Sequence, residues 1–146
     1  MKKESIITLL PYKSPFLFVD DLQEVNENGI VGHYQYKENE YFYQGHFPDN
    51  PITPGVILTE TMAQIGLVCL GIYLFAKSGN PVENLKPVFT SSSVEFLAPV
   101  YPNDKVEVIS KKVYYRFNKL KCEVQLFNKT QNQLACRGEL SGIIAA

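Results

Sequence analysis

From Val56 to Ala76 the chain runs without a proline and with one charge, Glu60, and its apolar positions fall on every side rather than along one stripe. Such a run predicts either a helix buried all round or a membrane span. Thr59, Glu60, Thr61 and Gln64 crowd its first third, so only Ile65 to Ala76 is fully apolar. That remainder is too short for a hydrocarbon core of ~30 Å, and the expectation is a core helix with no membrane span. Ser78-Gly79-Asn80-Pro81 supplies the stop signal.

On either side the pattern changes to that of strands. Phe16-Leu17-Phe18-Val19 reads as a short buried strand, and Asn26-Glu27-Asn28-Gly29 as a hairpin turn leading into a strand over Ile30–Tyr36. Residues 39–55, with Pro48, Pro51 and Pro54, read as a shaped loop. After the helix, strands are predicted over Pro87–Phe96, Asp104–Tyr115, Leu120–Phe127 and Leu134–Ile144, with a turn at Asn128–Asn132. Two strands, one buried helix and four strands make an α+β layout, and an antiparallel sheet curled round the helix would bury it on all sides. Residues 1–146 are expected to form one domain. Met1 to Pro11 opens like a signal peptide, but Thr8 and Pro11 interrupt it and no small-residue cleavage site follows, so a short capping helix is expected.

Composition narrows the chemistry. Hydrophobic residues are 45% and charged residues 20% of the chain, as in an ordinary globular domain. Fourteen basic and fifteen acidic residues leave a net charge of −1, which gives no electrostatic case for nucleic acid. Three cysteines without CxxC spacing argue against a disulfide framework or zinc site and fit a reducing cytoplasm. The two histidines, His33 and His46, exclude any multi-histidine metal centre.

The chemistry-bearing stretch runs from Gly45 to Gln64. Glu60 lies about one turn into the apolar helix, where an unpaired carboxylate costs several kcal/mol. It either caps the first turn or is kept for use. Gln64, four residues on, shares its face and can orient it. Pro54-Gly55 opens the helix, and a residue without a side chain lets a ligand approach the free N–H groups of the first turn. Such a helix start can hold a developing oxyanion. His46 precedes it in a braced loop; histidine, acid and helix start together form a proton-transfer set.

The run Gly45-His46-Phe47-Pro48 through Pro51, Pro54-Gly55-Val56, Glu60 and Met62-Ala63-Gln64 resembles the 3-hydroxyacyl-acyl-carrier-protein dehydratases of fatty-acid synthesis (FabZ type), whose pattern is GHFPxxPxxPGVxxxExMAQ. Pro15–Asp20 resembles their PFLxVD, Asn39–Tyr43 their NExFF, and Phe96–Asp104 their FxxPVxPGD. The resemblance implies a hot-dog fold, a curved antiparallel sheet wrapped round a long central helix. It implies a homodimer with shared active sites, which could assemble further into a trimer of dimers. His46 would be the base removing the C2 proton, Glu60 of the other subunit would protonate the departing hydroxyl, Gly55 and Val56 would bind and polarise the thioester, and Gln64 would support Glu60. Acyl carrier protein is the implied partner. No metal or cofactor is implied, since phosphopantetheine arrives on the carrier. Glutamate at position 60, where the related dehydratase/isomerases are similar but carry aspartate, favours dehydration without isomerisation.

Asp21, Asp49-Asn50 and Asn103 depart from the family pattern without touching His46, Gly55 or Glu60. His33 reads as a solvated strand histidine. Lys111, Lys112, Arg116, Lys119 and Lys121 read either as a solvated sheet edge or as a docking patch for an acidic carrier. Two other functions fit the same fold: a thioesterase, and a non-catalytic acyl-binding or scaffold subunit.

Overall fold

A computed structural model describes residues 1–144. A short helix α1, Lys3–Thr8, precedes strands β1, Asp21–Asn26, and β2, Gly29–Gln35. A single 3-10 turn, Tyr41–Gln44, leads through the proline-rich loop into the long helix α2, Gly55–Lys77. Four strands follow: β3 (Val88–Phe96), β4 (Lys105–Arg116), β5 (Lys119–Asn128) and β6 (Gln133–Ile143). All pairings are antiparallel, in the order β1, β2, β4, β5, β6, β3. The sheet curls round α2, giving the hot-dog arrangement.

The inner face explains the helix's texture. Ile30 and Tyr34 on β2, Val106 and Val108 on β4, Leu120, Cys122, Val124 and Leu126 on β5, and Leu140 on β6 are all buried, as are Met62, Ile65, Leu70 and Ile72 on α2. By length and composition α2 could cross a membrane, but 78% of its apolar window is buried inside the protein. Its middle, Gln64–Cys69, is a π-helical turn. Here the helix lies so close to the sheet that a Cβ on Gly66 would come within 3.0 Å of Val124 and 3.1 Å of Ser110. Ser110 uses that proximity to donate its hydroxyl to the Gly66 carbonyl at 2.8 Å, giving it a partner where the widened turn disturbs the helical ladder.

One expected strand needs correction. Phe18 and Val19 are buried, but Phe16–Val19 is not a strand. Its backbone is held by a side chain instead: Phe18 N–H donates to Gln64 Oε1 at 2.8 Å, and Gln64 Nε2 donates to the Phe16 carbonyl at 3.0 Å. The first strand is Asp21–Asn26, whose register slips between Leu22 and Glu24. The bulge puts its inward positions at Leu22 and Val25, three apart, and so erases the two-residue alternation.

β3 occupies one end of the sheet and, among the described residues, pairs only with β6. Val88, Phe89 and Phe96 are exposed along it, 61%, 43% and 51% respectively. An apolar, unpaired edge of this kind is a template for another strand.

Candidate active site

The loop carrying His46 is built from both ends. At its start, Glu40 is buried and accepts hydrogen bonds from the Tyr34 hydroxyl and the Lys37 N–H. The 3-10 turn then delivers Gly45 and His46, whose backbone N–H groups donate to the Phe42 carbonyl. Phe47 follows with φ +54, the left-handed region that a bulky residue rarely adopts, and so redirects the chain just after the histidine. The His46 ring packs edge-on to Phe47 with centroids 4.7 Å apart. Its Nδ1 lies 2.9 Å from the Ile52 carbonyl. A carbonyl only accepts, so in this geometry Nδ1 carries a proton, and in the neutral ring Nε2 keeps its lone pair.

Helix α2 starts where the proline-rich loop ends. The N–H groups of Gly55 and Val56 have no carbonyl a turn earlier to bond, and Val56 is 76% exposed. A Cβ on Gly55 would lie 3.2 Å from the Phe96 ring. Glycine thus sits close against β3 here and leaves the helix start accessible.

Glu60 is half-buried one turn on. Gln64 Nε2 donates to its Oε2 at 2.9 Å. Burial holds the Glu60 carboxyl above the usual carboxylate range, and the Gln64 bond opposes this only in part. Glu60 faces a cavity of about 180 Å³, whose lining includes Tyr12, Phe16, Leu67, Val88 and Phe89. The Tyr12 phenol is pushed up to about 12, first by burial and then by the charge of Glu60. Neither Tyr12 nor Phe89 stands out in the sequence, because both sit in segments that read simply as apolar.

The candidate residues thus fall into two groups. Glu60 lines the cavity and Gln64 is bonded to it from the buried side, whereas His46, Gly55 and Val56 are not among the cavity's lining residues. The cavity is bordered by Pro87, Val88 and Phe89 at the unpaired edge of β3. A larger groove, about 500 Å³, crosses the outer sheet face between charged residues such as Lys111, Glu123 and Arg137, and contains none of the candidate residues.

His33 is not a solvated histidine. It lies on the face of β2 opposite α2, with Nδ1 2.7 Å from Asp21 and Nε2 2.8 Å from Glu107. Asp21, one of the departures from the family pattern, is thereby explained as a partner for this imidazole. Among the described residues no group of three or more His, Cys, Asp or Glu side chains is arranged to hold a metal ion. Cys69, Cys122 and Cys136 are buried free thiols. Burial pushes all three upward, Cys122 to about 11 and Cys136 to about 12, which keeps them from acting as thiolates.

Curled sheet, buried helix, loop histidine and helix-borne acid together define a hot-dog protein of the dehydratase type. A FabA-like domain is matched over residues 10–133, and the chain belongs to this family. It is similar to the 3-hydroxyacyl-(acyl-carrier-protein) dehydratase FabZ of Clostridium perfringens, 32% identical over 145 residues that cover 96% of each chain. The FabZ of Rhizobium etli is 36% identical over 143 residues, 95% of this chain and 86% of the relative. With that of Nitratidesulfovibrio vulgaris, identity is 43% over 105 residues, 70% of this chain and 66% of the relative. Among solved structures, the dehydratase heterocomplex ApeI:P from Xenorhabdus doucetiae superposes with a TM-score of 0.80 at 11% identity, over 97% of this chain and 91% of that one. A hypothetical thioesterase from Streptococcus pneumoniae in complex with coenzyme A gives 0.60 at 15% identity, over 86% and 84%. These two likenesses speak for the fold alone.

Proposed function

We propose that this chain is a hydro-lyase of fatty-acid biosynthesis that removes water from 3-hydroxyacyl chains carried on acyl carrier protein, giving the trans-2-enoyl thioester. The observation that carries this reading is the Glu60 carboxyl, half-buried in an apolar cavity beside an unpaired strand edge and aimed by Gln64. His46 lies outside that cavity with a free Nε2. A homodimer formed through β3 would close the cavity and bring His46 of one subunit to Glu60 of the partner subunit.

The chemistry follows from the groups. Nε2 of His46 takes the C2 proton, and the N–H groups of Gly55 and Val56 receive the negative charge that develops on the thioester oxygen. The C3–O bond then breaks as the C2=C3 bond forms. Glu60 of the partner subunit donates the proton that makes the leaving hydroxyl into water. Its raised proton affinity suits it to hold that proton. Proton exchange with solvent resets both groups, so neither a metal nor a redox cofactor has a step to perform. The acyl chain would lie along the apolar wall formed by Phe16, Leu67, Val68 and Phe89. Three free thiols fit a cytoplasmic setting. The basic β4–β5 hairpin, where Arg116 stacks on Tyr114 at 4.5 Å and Lys121 lies 3.8 Å from Glu139, offers charge for a carrier protein.

Incubation with a 3-hydroxyacyl carrier substrate tests the reading. An enoyl product is expected, and release of free thiol without one would instead indicate a thioesterase. His46→Ala and Glu60→Gln should each lower kcat by about 10²–10⁴. Full activity in both variants would overturn the mechanism.

A further inference from the structure

The proposed reaction needs His46 to present an unprotonated Nε2, and therefore depends on whatever keeps the proton on Nδ1. The acceptor is the Ile52 carbonyl, and that carbonyl belongs to the peptide unit shared with Thr53. The same rigid plane makes a second bond on its other side, from Thr53 N–H to the Val100 carbonyl at 2.8 Å. Rotating this plane would therefore break both bonds together and release the imidazole.

The plane is held by a third contact. The Thr53 hydroxyl lies 2.6 Å from the Tyr43 hydroxyl, and both residues are buried, 4% and 5% exposed. Tyr43 belongs to the 3-10 turn that enters the loop, and Thr53 lies just before the helix start. The contact thus ties the two ends of the His46 loop across its base. Burying two hydroxyls gains little net stability over an apolar pair of the same shape. What the pair adds is direction: a hydrogen bond fixes the Thr53 side chain, and with it the adjoining peptide plane, at one angle.

We propose that Tyr43 and Thr53 are positioning residues for His46, locking the Ile52–Thr53 peptide so that its carbonyl holds the imidazole as the Nδ1–H tautomer with Nε2 open to substrate. The inference rests on the reading of His46 as the base, but its test does not require turnover. His33 is the only other histidine and is identified by substitution to Gln.

In 15N-labelled protein, the ring-nitrogen signals of His46 should report one tautomer, protonated at Nδ1. Tyr43→Phe and Thr53→Val each remove one hydroxyl with little change in shape. Both should give averaged signals from two tautomers, while Thr53→Ser should keep the single form. In turnover, Tyr43→Phe and Thr53→Val should lower kcat ~10-fold with KM within about twofold, less than the loss expected on deleting the base itself, and Thr53→Ser should restore it. The double variant should be no worse than either single one. An unchanged His46 tautomer in folded Tyr43→Phe and Thr53→Val would overturn the proposal. Absence of dehydration by the unsubstituted protein would instead overturn the functional reading and leave the tautomer result to decide this one.

Discussion

Gln64 Nε2 donates to Glu60 Oε2 at 2.9 Å while the same amide holds the backbone of Phe16 and Phe18. One buried side chain thus aims the acid and pins the segment that carries Tyr12 and Phe16 against the cavity. Gln64→Leu should remove all three bonds and strand two backbone groups, at a cost of about 2–4 kcal/mol in stability. Chemical denaturation measures this. The variant should also lose turnover out of proportion to its unfolding.

The raised proton affinity of Glu60 has a sign that can be checked. A carboxyl that binds its proton more tightly folded than unfolded favours the folded state below the unfolded pKa, and that benefit is lost as pH rises through the folded value. Glu60→Gln is neutral throughout and avoids the loss. Its Tm should therefore exceed that of the parent at pH 8, by about 2 °C, and the difference should shrink as pH falls towards the ordinary carboxylate range. Thermal melts across pH, run beside the activity assay, would expose a stabilised but disabled protein.

Ser110 gives a partner to the Gly66 carbonyl in the π-helical turn. Ser110→Ala should leave that buried oxygen unsatisfied and cost about 1–3 kcal/mol. Ser110→Val should cost more, since helix and sheet approach so closely here that even a Cβ added at Gly66 would come within 3.1 Å of this side chain, leaving little room for a larger one. Both values come from denaturant midpoints at fixed slope.

Gly55→Ala should leave stability nearly intact while lowering turnover at least tenfold. The new methyl would press on Phe96 at 3.2 Å, but that ring is half-exposed and can yield. The N–H groups at the helix start would still be crowded. Melting temperature and kcat measured on the same sample separate the two effects.

The fold was legible where burial follows a simple period. An apolar run with polar residues only near its start announces a central helix, and the strands after it emerge within one or two residues of their places. Phe16–Val19 misleads because burial alone does not make a strand; its partner is the Gln64 amide, 46 residues on from Phe18. β1 is hidden by its bulge. His33 looks solvated in one dimension because Glu107, which makes its environment, arrives from another strand. Of the candidate site, the pairing of Gln64 with Glu60 was legible from their four-residue spacing on one helix. The Tyr43–Thr53 brace could not be read, since it joins two hydroxyls ten residues apart across a loop with no regular period.

The central claim is that each active site draws His46 from one subunit and Glu60 from the other, and a mixed-dimer experiment tests it most directly. His46→Ala and Glu60→Gln are purified separately, unfolded, mixed in equal amounts and refolded, and dehydration of a 3-hydroxyacyl carrier substrate is measured. In a two-fold dimer, half of the products are mixed pairs and each mixed pair regains one complete site, so about a quarter of the parent rate should return from two inactive components. A refolded mixture as inactive as its components, with parent protein recovering fully under the same treatment, would contradict the account.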